Sequence, residues 1–294
     1  MMLQTITELS RIEDKYKDKF CVLIHTCPST NVEEHAEVLR SQNISVEIVN
    51  HPDHSYMPKI WNAARRDSKF SMKIDEDIFM SHHVFAYTID TLDVLENDRN
   101  LMTTPALSTG IPSLEMFIDD VFTSNEKKEI YDIFKSVHMF GFLGANYEVL
   151  NLNLPEWNPD TFYSAVKNRV HHHFKGIHPL RISYTAQQKM LDVIKSKRDK
   201  ITQKQDYRIE PRNITYICNS IFTIRNDTWL KILSDHTLYR DAFDEVPINL
   251  YKDHHDLKVC FIRNANALHP GYNTIVELHK LCDEMYAMLK EWGK

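Results

Sequence analysis

The stretch Phe70-Ser71-Met72-Lys73-Ile74-Asp75-Glu76-Asp77-Ile78-Phe79 decides how this 294-residue chain is read. Phe70 to Ile74 reads as a short strand, and three carboxylates follow at its carboxyl end before the chain turns apolar again. Asp75 and Asp77 stand at i and i+2 of a turn, from which two carboxylates reach one hard cation from the same side. Mg²⁺ or Mn²⁺ favours such oxygen ligands and keeps positions free for substrate phosphates. An isolated D-x-D is a common acidic surface turn, and Glu76 points the other way, so the surroundings carry the reading.

Upstream, Phe20-Cys21-Val22-Leu23-Ile24-His25-Thr26 is an apolar run stopped by Cys27-Pro28-Ser29-Thr30, as expected of a buried strand opening into a loop. Asn31 to Ser41 has helical spacing, and Glu33-Glu34 suit the amino end of a helix dipole. Ile44 to Val49 alternates like a strand and ends at Asn50-His51-Pro52-Asp53. Met57 to Ser68 has a helical pattern around Trp61 and Ala64. This strand–helix–strand–helix–strand order predicts a doubly wound parallel sheet, with ligands at the carboxyl ends of its strands. The loops after Thr26, Asn50 and Ile74 would open on that edge.

Downstream, the pattern predicts a helix over 81–96, a strand over Leu101–Leu107 and largely helical structure over 112–140. Residues 150–212 read as a long polar insertion with His171-His172-His173 and a Lys/Arg-rich stretch from Lys189 to Arg208. Ile214–Cys218, Ile221–Ile224 and Leu257–Ile262 read as strands, with helices near Trp229 and over 274–292. Neither a repeat nor a linker marks a boundary, so one domain over 1–294 is expected. Its halves would divide at about 110, with nucleotide binding over 18–110 and acceptor binding over 111–294.

Hydrophobic residues make up 43% and charged residues 26% of the chain, the composition of an ordinary soluble globular protein. The formal net charge of −6 gives no sign of the basic face of a nucleic-acid binder. Five cysteines form no CxxC pair, which points to a reducing compartment. No stretch reaches the ~18–20 apolar residues of a membrane span, so a cytoplasmic location is expected, with peripheral membrane contact left open. The absence of G-x-x-x-x-G-K-[ST] and G-x-S-x-G elements disfavours P-loop and hydrolase readings.

The run Trp61-Asn62-Ala63-Ala64-Arg65-Arg66, continued by Phe70 to Phe79, resembles the nucleotide-binding half of GT-A-fold, family-2-like glycosyltransferases with a DXD motif. The likeness is specific over about residues 20–80 and schematic beyond. It implies an α/β GT-A fold, with a doubly wound, mostly parallel central sheet flanked by helices and a helical insertion in the acceptor half. It further implies that Thr26, Cys27 and Pro28, with Asn50 and Asp53, contact base and ribose. Asp75 would touch the ribose or the metal, and Asp77 would ligate the metal directly. The family's late metal-binding histidine corresponds to His269, an imidazole ligand that suits Mn²⁺ better than Mg²⁺. Its acceptor-half carboxylate corresponds to Asp244 or Glu245, either able to take the acceptor hydroxyl proton in an inverting transfer.

Arg65, Arg66 and Lys73 are cations suited to pairing with a diphosphate, against solvated helix ends as the plainer reading. The three consecutive histidines point in different directions and lack zinc-ligand spacing. His178-Pro179-Leu180-Arg181 reads as a surface turn that could offer Arg181 to an anionic acceptor, His254-His255 as a polar turn, and Asn219-Ser220 as acceptor-facing. The expected function is metal-dependent transfer of a sugar from a nucleoside-diphosphate sugar to a glycan or other hydroxyl acceptor, with a leaning to inversion. Soluble enzymes of this kind often build surface polysaccharides. Two rivals stand beside it: a sugar nucleotidyltransferase, which would carry a glycine-rich loop where this chain has His25-Thr26-Cys27-Pro28-Ser29, and a non-catalytic nucleotide-sugar or glycan-binding module.

Overall fold

The computed structural model describes residues 1–26, 31–51, 67–109, 113–136, 139–143, 146–150, 158–159, 178–212, 217–218, 220–235, 246–270 and 278–293. Its strands are β1 (Cys21–Thr26), β2 (Ser45–Asn50), β3 (Phe70–Ile74), β4 (Leu101–Leu107), β5 (Met139–Leu143), β6 (Asn146–Leu150), β7 (Arg208–Arg212), β8 (Ile221–Arg225) and β9 (Lys258–Ala267). β1 and β2 pair in parallel, β5 and β6 form an antiparallel hairpin, and the remaining five make one mixed sheet in the order β3-β8-β4-β9-β7. The protein is α/β.

Within the five-stranded sheet β8 runs antiparallel to both β3 and β4, β9 runs parallel to β4, and β7 antiparallel to β9. A mostly parallel sheet was expected, and that direction is corrected here. A late strand, β8, occupies the place between β3 and β4 and reverses the ladder on both sides. β3, β4 and β9 nevertheless all run the same way, so their carboxyl ends share one edge.

Helices cover both faces. Side chains of the helices Ser113–Val121, Tyr184–Ser196 and Asn226–Ser234 join Met102, Phe222 and Phe261 in one core. Those of Met2–Leu9, Glu33–Arg40 and His82–Asp90 join Ile221, Ile262 and Leu107 in the other, to which Val22 and Ile48 of the small sheet and Met72 and Ile74 of β3 also contribute. β4 is buried along its whole length, its two central threonines included.

Several expectations are adjusted. The helix over 81–96 is two, His82–Asp90 and Leu92–Asn97, divided at Thr91. Residues 179–202 are helical, and Met190, Leu191 and Ile194 lie in the core, so this part of the polar insertion is packed structure. Arg208–Arg212 is an edge strand whose exposed polar residues hid it. Ile217 and Cys218 lie outside any strand, and the expected helix over 57–68 lies mostly outside the described residues.

Pro105 has no N–H for the ladder, and the β4–β9 register shifts between Pro105 and Ala106, so that Ala106 faces Asn266. The extra residues of β9 bulge out, with Asn264 at φ 63°. A buried ion pair anchors the bulge. Arg263 Nε donates to Asp120 Oδ1 at 2.8 Å, Arg263 also pairs with Glu210, and Asp120 Oδ2 accepts the Asn264 backbone N–H at 2.7 Å. Removing one partner of such a pair leaves a buried charge behind, so Asp120→Ala is expected to cost about 3 kcal/mol in urea denaturation. A loss below ~1 kcal/mol would mean that the bulge does not need the pair.

Candidate functional site

The acidic turn is fixed at both ends. Asp75 N–H donates to the Ser220 carbonyl at 2.9 Å, extending the β3–β8 ladder by one bond, and Ile78 N–H returns to the Asp75 carbonyl at 3.1 Å to close a four-residue turn. Glu76 and Asp77 occupy its corners, Glu76 exposed and Asp77 half-buried. Beyond the turn, Ile78 and Met80 pack into one core and Phe79 into the other. Burying such side chains stabilises by roughly 1.5–3 kcal/mol each, so the turn is tethered to the interior at its carboxyl end.

Phe79 forms a two-bond antiparallel bridge with Leu268, donating N–H to its carbonyl at 2.8 Å and accepting at 2.9 Å. This sets Asp77 diagonally opposite His269, and Asp77 Oδ2 lies 3.1 Å from His269 Nε2. His269 is only 8% exposed. Its Nδ1 is 2.6 Å from Thr109 Oγ1, and its backbone N–H donates to Ser108 Oγ at 3.0 Å. The three segments meet because β3, β4 and β9 deliver Asp75, Ser108 and Leu268 to the same sheet edge. Burial works to raise the Asp77 carboxyl, but the hydrogen bond and charge of His269, with a contribution from Lys73, outweigh it and hold the group below the usual carboxylate range.

Lys73 and Asp75, two apart on a strand and so on the same face, form an ion pair between Nζ and Oδ1. Lys73 thus lies beside the acidic turn, with its charge felt at Asp77. Ser220, the expected acceptor-facing residue, is buried at this edge, its carbonyl bound to Asp75 and its hydroxyl 3.3 Å from Cys218 Sγ.

At the ends of β1 and β2, Thr26 and Asn50 are cross-strand partners, Thr26 buried and Asn50 exposed. Beside them, His25 Nδ1 lies 3.1 Å from His51 Nε2 with the rings stacked at 5.4 Å. Burial, then the neighbouring His51, pushes the His25 imidazole down to about 4. A lone histidine in an apolar run gave no signal of this pair. Ser108 and Thr109 were also missed, although the carboxyl-end rule applied to Leu101–Leu107 points at them.

Cys27, Pro28, Asp53, Arg65, Arg66, His171–His173, Asn219, Asp244 and Glu245 lie outside the described residues. The helix Val246–His255 begins directly after Glu245. Two histidine readings are corrected. His254 and His255 belong to the last turn of that helix, with the His255 ring packed on Tyr251 at 4.3 Å. His178 is fully buried rather than on a surface turn, accepting the Leu180 N–H at Nδ1 with Nε2 3.8 Å from Glu115. The reason is the helix it caps, which packs into the core through Leu180.

Among the described residues no three His, Cys, Asp or Glu side chains converge to hold a metal ion; Asp77 and His269 come together as a pair. Cis positions of an octahedral ion with ~2.1 Å bonds are about 3.0 Å apart, and Asp77 Oδ2 and His269 Nε2 are 3.1 Å apart. One carboxylate oxygen and one imidazole nitrogen suit Mn²⁺ and leave most of the shell for phosphate oxygens and water. Among the described residues no helix is long and apolar enough to cross a membrane. The chain matches no protein-family model and no curated protein sequence.

Because His25 titrates near 4 in the fold and near 6.5 when unfolded, the unfolded chain binds its proton first as pH falls. Stability from this group is therefore intact above about 6.5 and declines down to about 4. His25→Gln should flatten that part of the stability–pH curve, read by urea midpoints. A wild-type imidazole titrating near 6.5 by NMR would contradict the burial argument.

Proposed function

We propose that this chain is a metal-dependent glycosyltransferase of GT-A fold, moving a sugar from a nucleoside-diphosphate donor to a glycan or other hydroxyl acceptor with inversion. The observation that carries the reading is the 3.1 Å approach of Asp77 to His269 at the carboxyl edge of the sheet. These two residues are remote in sequence, and the resemblance implies both as ligands of one ion. The edge is also where an α/β sheet binds its ligands.

Asp77 and His269 would hold a Mn²⁺ or Mg²⁺ ion, which would supply a Lewis acid against the charge that grows on the diphosphate leaving group. The protein's own contributions surround that point. Lys73 adds a cation beside the turn and orients Asp75 through their ion pair. Thr26 and Asn50, adjacent at the ends of β1 and β2, offer hydroxyl and amide groups to base and ribose, and Cys27, Pro28, Asp53 and Arg65, which follow them in sequence, are proposed to join them. Asp244 or Glu245 takes the acceptor hydroxyl proton as the acceptor attacks the face opposite the leaving group. Cytoplasmic synthesis of polysaccharide is the setting that fits this assignment.

The direct assay incubates the protein with UDP-, GDP- and dTDP-sugars, Mn²⁺ and a panel of acceptors, and measures nucleoside diphosphate release. Pyrophosphate release from a nucleoside triphosphate and a sugar phosphate would replace this reading with a nucleotidyltransferase. Asp77→Ala is expected to weaken Mn²⁺-dependent nucleoside-diphosphate binding by about a hundredfold, on the order of 3 kcal/mol, with the thermal midpoint retained. Unchanged affinity in calorimetry would sink the metal assignment. Of Asp244→Asn and Glu245→Gln, at least one should keep donor affinity while transfer drops by about 10²–10⁴. Full activity in both would remove the base from this segment.

A further inference from the structure

Proton accounting around His269 identifies a residue that acts through it. Thr109 is fully buried, and its Oγ1 makes two short contacts to His269, 2.6 Å to Nδ1 and 3.0 Å to the backbone carbonyl oxygen. A carbonyl oxygen only accepts, and a threonine hydroxyl has one hydrogen to give. That hydrogen satisfies the carbonyl contact, which leaves an Oγ1 lone pair to accept a hydrogen from Nδ1. The opposite assignment, hydroxyl donating to Nδ1, would set Oγ1 and the carbonyl oxygen against each other at 3.0 Å with nothing between them. Ser108 completes the set: its Oγ accepts the His269 backbone N–H at 3.0 Å and donates to the second lone pair of the same carbonyl at 3.3 Å. Every hydrogen in the cluster then has an acceptor.

A neutral imidazole that carries its hydrogen on Nδ1 presents a bare lone pair at Nε2. That lone pair faces Asp77 Oδ2 across 3.1 Å. Two acceptors so close require something positive between them, either a second ring hydrogen given to Asp77 or a divalent cation with both as ligands. We propose that Thr109 is a positioning residue that holds His269 in the Nδ1-protonated tautomer, turning the Nε2 lone pair toward a divalent cation shared with Asp77. The inference rests on the metal reading above, and goes beyond it by naming the group that makes the histidine a ligand rather than a hydrogen-bond donor.

The test titrates Mn²⁺ alone into the full chain and follows the free ion by electron paramagnetic resonance, for the wild type, Thr109→Val and Thr109→Ser. Valine keeps the shape and removes the acceptor, and is expected to weaken Mn²⁺ binding about 10–100-fold, whereas serine should stay within about threefold of wild type. Valine binding as tightly as wild type, or serine failing as badly as valine, overturns the role of Thr109 while leaving the metal site standing. A wild type that does not bind Mn²⁺ overturns both. Should the valine variant not fold, ¹⁵N NMR of the metal-free wild type at about pH 8, above the ordinary imidazole range, reads the tautomer directly, with the His269 signals assigned by their loss in His269→Gln. Hydrogen on Nδ1 is expected, and hydrogen on Nε2 in the neutral ring overturns the proposal.

Discussion

The two backbone hydrogen bonds between Phe79 and Leu268 are the constraint on which the site depends. They join the segment that leaves β3 to the segment that leaves β9, although neither strand neighbours the other in the sheet. An exposed acidic turn would spread its carboxylates over many rotamers, at a cost in side-chain entropy when a ligand orders them. Here the turn is short, closed by its own hydrogen bond, and followed by three residues that pack alternately into the two cores. Packing therefore brings Asp77 to His269, and the hydrogen bond and charge between them add to what packing sets.

The same economy applies to the other side of the pair. Pro105 breaks the β4–β9 ladder, the bulge it faces is held by Arg263 and Asp120, and the shifted register that follows pairs Leu107 with Ala267. Without that shift Ser108 and Thr109 would not come level with His269. The buried ion pair is thus a structural device some distance along the strand that sets where two hydroxyls stand at the edge. In a chain with a formal net charge of −6, an anionic substrate needs its cations concentrated at one place. Lys73, paired with Asp75 beside the acidic turn, would be one such charge for the proposed diphosphate.

Local pattern made the strands at the acidic edge legible. The strands observed over Phe70–Ile74 and Leu101–Leu107 have the limits read from the sequence, because each is a short, mainly apolar segment that a turn must end. Three features were not legible, for separate reasons. β8 enters between β3 and β4 through pairing across a large sequence separation, which no local periodicity encodes, and so the mixed sheet could not be read from strand order. β7 and the helix Tyr184–Ser196 carry enough polar residues to resemble an insertion, although Met190 and Leu191 are fully buried. His25, His51 and Thr109 are ordinary singly, and only the geometry that sets His25 on His51 and Thr109 on His269 gives them meaning. His178 misled because a histidine before a proline has the chemistry of a turn whether it caps a buried helix or an exposed one.

Asp77 and His269 are proposed to hold one divalent ion at the sheet edge. Anomalous diffraction at the manganese edge, from crystals grown with Mn²⁺ and a nucleoside diphosphate, tests it most directly. One strong peak is expected within bonding distance of both Asp77 Oδ2 and His269 Nε2, with diphosphate oxygens completing the shell. Bound nucleotide with no manganese at that pair, or manganese bound elsewhere on the chain, would contradict it.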